Sequence, residues 1–288
     1  MTVELSSDTL TITILKRGAE LCSVKNAEGL EYIWQAHKDF WPRHAPVLFP
    51  VVGKLKNNSF SLGETRYSLP QHGFARDCLF EPVLMSSSSC TLRLKADDHL
   101  QTSYPFDFIL DLGYELEGNT LSCLYSVENP SEHTLYFSIG AHPGFNWPLV
   151  KQEEAEDYCL EFESDTYTLS GLKDGLRSGE KQSLRLQDRR LPLTHALFDK
   201  DALVFENNQI NSIRYFSRKT GHGVHMHCHN WPYFGIWSKA GKAPFICLEP
   251  WYGIADEDHT SGQLSEKQGI IALGPGERFE SRYSIHFH

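Results

Sequence analysis

Three short segments place reactive side chains among glycine, proline and aromatic residues. They are residues 69–77 (LPQHGFARD), 140–147 (GAHPGFNW) and 247–253 (CLEPWYG). Loops and strand ends on a rigid scaffold commonly carry functional sites. One residue from each segment, His72, His142 and Glu249, could together supply a general acid and a general base. These segments therefore point to proton-transfer chemistry.

Each of these side chains also has a purely structural interpretation. A histidine beside glycine and proline is commonly a turn residue that bonds to the backbone, and His72 and His142 both have such neighbours. Glu249 follows the apolar residues 245–247 and precedes a proline, so we expect a half-buried carboxylate that needs a partner. A salt bridge to a structural arginine would satisfy this carboxylate as well as a catalytic role would.

Alternation of apolar and polar residues recurs along the chain and predicts β-strands with one buried face. The clearest segments are residues 10–14, 91–95, 120–127 and 279–287. Glycine-rich turn signals separate the strands at residues 26–29, 62–64, 117–119 and 274–276. Helical periodicity is scarce, with at most a turn or two near residues 97–104. We therefore expect an all-β fold, a large antiparallel β-sandwich with few short helices.

The bulk composition narrows the class of protein. A chain of 288 residues can bury a substantial core, and no linker divides it, so we expect a single domain over residues 1–288. With 40% hydrophobic and 22% charged residues, neither disorder nor a fibrous repeat is indicated. A net charge of −10 and a pI near 5.8 argue against non-specific binding to nucleic acid or to an anionic membrane.

The cysteines and the N-terminal residues indicate the cellular compartment of the protein. The seven cysteines are odd in number and form no CxxC pair, which favours free thiols in a reducing environment. The segment 1–13 has no basic region followed by an apolar run, and no stretch approaches the length of a membrane span. We expect a cytoplasmic protein without a signal peptide.

Several motifs, in order along nearly the whole chain, resemble those of the aldose 1-epimerase (galactose mutarotase-like) superfamily. Within it they are most similar to the LacX-like and hexose-6-phosphate mutarotase-like branch. The motifs are RHAPVLFPVVG at residues 43–53, PQHGFAR at 70–76, HPGFN at 142–146, LEPW at 248–251 and GPGE at 274–277. The resemblance implies a galactose mutarotase-like β-sandwich that acts on a sugar and needs no organic cofactor.

The resemblance also implies catalytic roles. Glu249 matches the general base that takes the proton from the anomeric hydroxyl, and His142 matches the general acid that protonates the ring oxygen. His72 matches a residue that holds or polarises the same oxygen. Mutarotation opens a hemiacetal and closes it on the other face, so a base and an acid are the groups it requires. No metal is required by this chemistry.

Six further residues are assigned to substrate binding by the same resemblance: Arg43, Lys54, Arg76, Asn146, Asp201 and Trp251. The aspartate could be Asp199 or Asp201, and we favour Asp201. Lys54 stands where the branch often has arginine, and a lysine is a point charge without the planar fork needed for two-pronged recognition. Arg43 and Arg76 remain able to clamp a phosphate in that way.

Two other groups of residues have competing interpretations. Five aromatic residues could stack on a sugar or pack in the core: Phe145, Trp147, Trp231, Trp251 and Tyr252. Three histidines alternate along one predicted strand and would share a face: His225, His227 and His229. Such a face could bind Zn²⁺ or Ni²⁺, but we favour the polar outer face of a strand.

The predicted function is that of an aldose 1-epimerase, an isomerase that interconverts the α and β anomers of a hexose by acid–base ring opening. A hexose-6-phosphate 1-epimerase is the alternative within the same class. A non-catalytic carbohydrate-binding or sugar-sensing protein would need no acid–base pair, and glycoside hydrolysis would usually need two carboxylates. The expected partner is a small sugar or sugar phosphate, without nucleic acid or membrane, and the protein is expected to be a monomer or a homodimer.

Overall fold

The computed structural model describes residues 1–288 and consists largely of strands. In chain order they are β1 (Thr2–Ser6), β2 (Leu10–Leu15), β3 (Glu20–Asn26), β4 (Val47–Leu48), β5 (Ser59–Leu62), β6 (Thr65–Ser68), β7 (Glu81–Met85), β8 (Ser89–Lys95), β9 (Ile109–Glu117), β10 (Thr120–Glu128), β11 (Leu135–Phe137), β12 (Ile139–Ala141), β13 (Gly144–Asn146), β14 (Tyr158–Glu161), β15 (Thr166–Lys173), β16 (Leu176–Arg185), β17 (Arg190–Pro192), β18 (Leu203–Phe205), β19 (Ser212–Ser217), β20 (Gly223–His227), β21 (Tyr233–Trp237), β22 (Phe245–Tyr252), β23 (Ile271–Leu273) and β24 (Arg278–Phe287).

Helical structure is limited to single turns. The one α-helix is α1 (Asp98–Gln101), which begins where the Asp97 carboxylate accepts a hydrogen bond from the Leu100 N–H. Five 3₁₀ turns complete the list: Lys56–Asn58, Ala75–Asp77, Ala155–Asp157, His195–Phe198 and Leu264–Glu266. None of these helices has the length and apolar character needed to cross a membrane.

Two large antiparallel sheets carry most of the strands. The nine-stranded sheet has the order β17-β14-β19-β20-β24-β10-β9-β8-β7. The eight-stranded sheet has the order β16-β15-β18-β21-β22-β12-β4, and β13 also pairs with β22. Smaller sheets are formed by β1-β2-β3, β11-β23 and β5-β6. All neighbouring strands run antiparallel, which confirms the predicted fold class.

The main core joins the two large sheets in one cluster of 64 buried residues. Alternation of side chains between the two faces of each strand produces this core. In β10, for example, every second residue is buried and the others are partly exposed. Leu121 of β10 and Ile285 of β24 enter the core from the nine-stranded sheet. Phe234 of β21 and Leu248 of β22 enter it from the eight-stranded sheet.

Strand β22 is unusual because almost every residue is buried, on both of its faces. Ile246 and Leu248 belong to the main core. The opposite face carries Cys247, Glu249 and Trp251. Cys247 and Trp251 each belong to a small apolar cluster separate from that core, and Glu249 is a buried charged residue between them in the strand. A strand buried on both faces has no alternation of polarity to reveal which of its faces carries a site.

Candidate active site

Glu249 lies near the middle of β22 and faces away from the main core. Its neighbour across the strand pair is Gly235 of β21. The carboxylate is almost completely buried, and the indole of Trp251 lies two residues further along the same face. The sheet therefore holds this carboxylate rigidly in place. Glu249 has no arginine or lysine among its salt-bridge partners.

Two glycines make room for the Trp251 indole. Gly140 of β12 lies opposite Trp251 on one side of β22, and on the other side Gly235 of β21 lies opposite Glu249, two residues before Trp251. A Cβ at Gly235 would lie 2.3 Å from the indole ring, and a Cβ at Gly140 would lie 2.8 Å from it. Both distances are too short for any side chain larger than hydrogen. The indole thus lies flat over two neighbouring strands, and its position depends on both glycines.

His142 lies between two short strands that both pair with β22. β12 ends at Ala141 and β13 begins at Gly144, and the Leu248 N–H donates to the Pro143 carbonyl between them. This arrangement holds the imidazole over the strand, with Nε2 of His142 at 3.1 Å from Oε2 of Glu249. Base and acid candidates separated by more than a hundred residues in sequence are thus in direct contact.

His72 reaches the same place from a loop. The backbone N–H of Gly53 donates to Nδ1 of His72 over 3.1 Å. Because Nδ1 accepts this bond, the neutral ring carries its proton on Nε2, which makes Nε2–H a hydrogen-bond donor. The His72 and His142 rings lie edge to face with centroids 5.7 Å apart. The first predicted histidine is therefore a neighbour of the acid–base pair.

Two tryptophans that the sequence analysis did not select enclose His142. Trp41 lies against the His142 ring with centroids 4.8 Å apart, and Trp237 meets it edge-on at 5.6 Å. Trp237 ends β21, whose pairing with β22 puts Trp237 opposite Cys247 and Gly235 opposite Glu249. Alternation along β21 would have revealed Trp237, but only with the pairing of β21 and β22 already known.

These residues line a cavity of about 340 Å³, a size suited to a small molecule. Seventeen residues form its wall: Trp41, Val52, Gly53, Gln71, His72, Arg76, His142, Leu172, Gly175, Asp201, Ala202, Val204, Trp237, Glu249, Trp251, Ile254 and Ala255. The wall combines apolar surface with a few polar groups, as small-ligand sites commonly do.

Unpaired polar atoms are concentrated on this wall. Seven buried side-chain nitrogen or oxygen atoms lack a hydrogen-bond partner in the protein, and four of them belong to cavity residues. The four are Arg76 Nε, His142 Nδ1, Glu249 Oε2 and Trp251 Nε1. Buried polar groups normally find partners, so a concentration of unsatisfied donors and an acceptor in one cavity indicates a polar ligand.

Burial shifts the pKa values of the acid–base pair in opposite directions. Desolvation raises the pKa of Glu249 well above its ordinary value; the nearby Trp251 indole opposes this shift, and the negative charge of Asp201 adds to it. Desolvation also lowers the pKa of His142, although the contact of the ring with its own backbone carbonyl opposes the shift. The site therefore favours a pair that holds one proton over either the fully protonated or the fully deprotonated pair.

The second imidazole is kept neutral. Desolvation lowers the pKa of His72 well below its ordinary value, and the neighbouring His142, Arg76 and Arg43 act in the same direction. A neutral His72 retains the Nε2–H donor that the Gly53 contact fixes. The side-chain amide nitrogen of Gln71 lies 3.2 Å from this nitrogen. Because two donors cannot bond to each other, the Gln71 amide must turn its oxygen toward His72 to accept from Nε2–H.

The two predicted arginines occupy different places. Arg76 lines the cavity and donates from Nη2 to the Gln71 carbonyl, and burial lowers the pKa of its guanidinium to about 10. Arg43 does not line the cavity; its Nη2 instead donates to both oxygens of Asp77 at 3.0 and 3.3 Å. Arg76 is the only lysine or arginine on the cavity wall.

The other residues predicted to bind substrate also fall into two groups, those on the cavity wall and those outside it. Asp201 lines the cavity, with φ of 105°, whereas Asp199 does not. Lys54 points elsewhere and donates to the Asp174 carbonyl over 2.9 Å. Asn146 donates to the Glu31 carbonyl over 2.9 Å and is not part of the wall.

Of the aromatic candidates, Trp251 alone lines the cavity. The indole of Trp147 donates to the Ala155 carbonyl, and that of Trp231 donates to the Arg282 carbonyl. Both indoles are almost completely buried in the main core, as is Phe145, and Tyr252 packs against that core. For these four residues core packing is the role that the structure supports.

Of the three alternating histidines, His225 and His227 lie on β20 of the nine-stranded sheet, whereas His229 lies in the turn after the strand, so the prediction of one strand for all three was wrong. His225 and His227 have ring centroids 4.1 Å apart, and His225 Nε2 contacts Ser212 Oγ at 2.6 Å. The donor atoms of His225, His227 and His229 do not come within 4.8 Å of one another as a group. Val224, Met226 and Cys228 on the opposite face are in the main core. This is the favoured arrangement of an outer polar face over a buried one.

Together, the fold and this cavity define the class of the protein: a galactose mutarotase-like β-sandwich, in which a carboxylate and two imidazoles line one cavity. The chain belongs to the aldose 1-epimerase family, because the family model described as aldose 1-epimerase matches residues 1–285. Members of this family are carbohydrate epimerases, a kind of isomerase.

Individual relatives agree with this assignment and with the LacX-like branch. The chain is 33% identical over 299 aligned residues to the chromosomal protein LacX of Lactococcus lactis subsp. lactis, covering 99% of each chain. It is 36% identical to a galactose mutarotase related enzyme from Lactobacillus acidophilus, with a TM-score of 0.96 and coverage of 100% of this chain and 97% of that one. A galactose mutarotase-like protein from Lactobacillus casei is 31% identical, with a TM-score of 0.92 and full coverage of both chains.

Proposed function

We propose that this protein is an aldose 1-epimerase that interconverts the α and β anomers of a free hexose. The observation that carries the proposal is the 3.1 Å contact between His142 Nε2 and Glu249 Oε2 on the floor of the cavity. The anomeric oxygen and the ring oxygen of a sugar are bonded to the same carbon. A base and an acid that serve these two oxygens must therefore lie side by side, as this pair does.

The pair needs one transferable proton to open the ring. In the reactive form Glu249 is a carboxylate and His142 is an imidazolium, which together hold the same single proton as the neutral pair. Glu249 takes the proton from the anomeric hydroxyl, C1 becomes a carbonyl as its bond to the ring oxygen breaks, and His142 protonates that oxygen. After rotation about the C1–C2 bond, the reverse transfers close the ring on the other face and restore the pair.

His72 supports this reaction as a hydrogen-bond donor. Its Nε2–H is fixed by the Gly53 contact, and its lowered pKa keeps the ring neutral. A neutral donor beside His142 can hold the ring oxygen while negative charge develops on it, without competing for the proton that His142 transfers. We therefore assign His72 a polarising role and His142 the role of the acid.

The charges on the wall favour a neutral sugar. Arg76 is the one lysine or arginine there, and the carboxyl groups of Asp201 and Glu249 belong to the same wall. Arg43, the second arm of a possible phosphate clamp, is bound to Asp77. Without a pair of free cations, the cost of bringing a phosphate dianion close to two carboxyl groups is not offset. We expect a free hexose to be preferred over its 6-phosphate.

Exchange between the anomeric signals, followed by NMR, tests the proposal for glucose, galactose and glucose 6-phosphate. Wild type should accelerate exchange for at least one free sugar, and Glu249→Gln should lower the enzymatic rate by about 100-fold or more, the range of a general base. The matched control is Glu153→Gln, which changes a buried glutamate that binds Tyr158 and Ser217 outside the cavity. This control should keep its rate.

Other results of the same measurement would change the assignment. A fully active Glu249→Gln enzyme would rule out Glu249 as the base. Line broadening of a sugar without faster exchange would mean that the cavity binds carbohydrate but does not turn it over. Faster exchange for glucose 6-phosphate than for any free hexose would place the protein with the hexose-6-phosphate epimerases.

A further inference from the structure

A thiol lies beside the acid–base pair, and the proposed reaction does not use it. Cys247 precedes Glu249 by two residues on β22, so both side chains share the face that bounds the cavity. The Cys247 side chain is fully buried in a small cluster, against which Trp41 and Trp237 pack. The ligand atoms of His142, Cys247 and Glu249 lie within 4.8 Å of one another, and no other group of three such side chains in the chain does so.

We propose that His142, Cys247 and Glu249 bind a thiophilic divalent cation, Zn²⁺ or Cd²⁺, and that the bound metal inhibits the enzyme. An imidazole nitrogen, a thiolate and a carboxylate oxygen are the three kinds of protein ligand that Zn²⁺ takes. Three protein ligands leave the fourth tetrahedral position open. In this site that position is left to water or a sugar oxygen from the cavity.

The geometry suits a single ion. The ligands of a tetrahedral Zn²⁺ lie about 2.0–2.3 Å from the metal, so neighbouring ligand atoms are roughly 3–4 Å apart. The 3.1 Å between His142 Nε2 and Glu249 Oε2 is in this range, and Cys247 Sγ, within 4.8 Å of the other two ligand atoms, needs to approach them by about 1 Å. Apart from its contact with His142 Nε2, which is itself a proposed ligand, Glu249 Oε2 has no polar partner to give up when it binds the metal.

Charge also favours a divalent ion over a monovalent one. A thiolate and a carboxylate together carry two negative charges, which a divalent cation neutralises, and the imidazole adds none. Binding displaces to solvent the proton of the Cys247 thiol and the proton shared by Glu249 and His142, so two protons leave for each ion bound. A neutral complex can remain in a site that excludes water, whereas an unpaired ion would carry a large desolvation cost.

Inhibition follows from the atoms that the metal occupies. The reaction uses the lone pair on the Glu249 oxygen and the proton on His142 Nε2, and the metal takes both positions. A pair that coordinates a metal holds no transferable proton, so it can neither accept from the anomeric hydroxyl nor donate to the ring oxygen. The inhibitory part of this inference rests on the proposed function, whereas the binding part does not.

Binding of the metal alone tests the inference without reference to activity. Untagged wild type should bind one Cd²⁺ per chain, with the ultraviolet charge-transfer band of a cadmium–thiolate bond, and one Zn²⁺ by calorimetry. Cys247→Ala should lose the band and weaken Zn²⁺ binding by at least about tenfold, since even outer-shell changes around metal ligands cost that much. Cys228→Ala removes another buried thiol, on the nine-stranded side of the core, and should bind as wild type does.

The mutarotase assay completes the test. Cys247→Ala keeps both reacting groups, so it should exchange anomers at about the wild-type rate and resist Zn²⁺ that inhibits wild type and Cys228→Ala. No stoichiometric binding, or binding that Cys247→Ala leaves unchanged, would overturn the metal site. If Cys247→Ala fails to fold, the cadmium–thiolate band of wild type and the Cys247→Ser variant decide the question. Metal binding by a protein that accelerates no sugar would support this site and count only against the proposed function.

Discussion

Two groups with opposite pKa shifts at 3.1 Å define how this site handles protons. Glu249 keeps its proton to a higher pH than an ordinary glutamate, and His142 remains without a second proton to a lower pH than an ordinary histidine. Between these limits the pair carries one proton, the number that ring opening requires. Burial favours the neutral form of this pair, and transfer of the proton from Glu249 to His142 gives the charged form that reacts with the sugar.

A plot of kcat/KM against pH should be bell-shaped, and its acid and alkaline limbs should both report protonation of the His142–Glu249 pair. On the acid side the pair binds a second proton at the lowered pKa of His142, so the base is lost only below the ordinary histidine range. On the alkaline side the pair loses its proton at the raised pKa of Glu249, so the acid is lost. Measurement of kcat/KM against pH checks this. An acid side that begins near the ordinary histidine pKa of about 6.5 would contradict it.

Asp201 should tune the alkaline side of this profile. Its negative charge raises the pKa of Glu249, so Asp201→Asn should lower that pKa and move the loss of activity to lower pH. Asparagine also tolerates the positive φ at this position. Asp199→Asn, two residues away but outside the cavity wall, is the control and should leave the profile unchanged. Equal shifts in both variants would argue against a specific contact.

The sequence predicted part of the cavity wall. His72, Arg76, His142, Glu249 and Trp251 lie in short motifs with glycine or proline and are together in the cavity, and Asp201, which only the family resemblance indicated, lies there too. Arg43, Lys54 and Asn146 are bound to groups outside the wall. Trp41 and Trp237 were missed, since the residues next to a tryptophan in the sequence do not indicate which partner it will contact in the fold.

Among the elements, β22 depends on glycines in its two neighbours. The indole of Trp251 covers the space that side chains at Gly140 and Gly235 would occupy. Trp251 Nε1 has no partner within the protein and lies close enough to Glu249 to lower its pKa. The position of this indole thus connects sheet packing with the protonation of the base.

Gly235→Ala should therefore impair both stability and activity. The new Cβ would displace the Trp251 ring, at a cost of about 1–3 kcal/mol for overpacking, and kcat/KM should fall with it. Gly113→Ala is the matched control, since Gly113 is also inside a strand but a Cβ there would meet only Leu124 side-chain atoms at 3.2 Å or more and Thr91 beyond them. Denaturant unfolding and NMR exchange measure the two effects. Loss of stability with normal activity would show that the indole does not influence the base.

Local signals predicted the elements but not their order in the sheets. The turn signal at residues 117–119 lies between β9 and β10, which pair as a hairpin, and α1 lies within the predicted helical turn. The neighbours of β24 in the sheet are β10 and β20, far from it in sequence. Such pairings depend on how whole faces fit together in the core, and no short segment contains that information.

Across the whole molecule, a buried ion pair connects distant parts of the chain near the cavity. Lys267 Nζ lies 3.1 Å from Asp256 Oδ1 and also donates to the Ile254 carbonyl. The other carboxylate oxygen of Asp256 accepts from the backbone N–H of Lys56, and its carbonyl accepts from that of Arg177. Ile254 is part of the cavity wall, so this network holds one side of the site in place.

Removal of one ion should destabilise the protein more than removal of both charges. Lys267→Met leaves the Asp256 carboxylate buried without its partner, and we expect a loss of about 3–5 kcal/mol in the free energy of unfolding. The double variant Lys267→Met with Asp256→Asn removes both charges and keeps an acceptor for the Lys56 N–H, so it should recover much of this loss. Denaturant unfolding of the three proteins checks the order. A double variant less stable than the single one would contradict the account.

The floor of the cavity and its walls come from different kinds of sequence. Glu249 and Trp251 belong to one strand fixed between the core and the site, whereas Gln71, Gly175 and Asp201 come from separate connections between strands. Mutations in those connections can alter which sugar fits without altering the strand that carries the base. Evolution can therefore change substrate preference and retain the reaction, and a laboratory library confined to the connections could follow the same course.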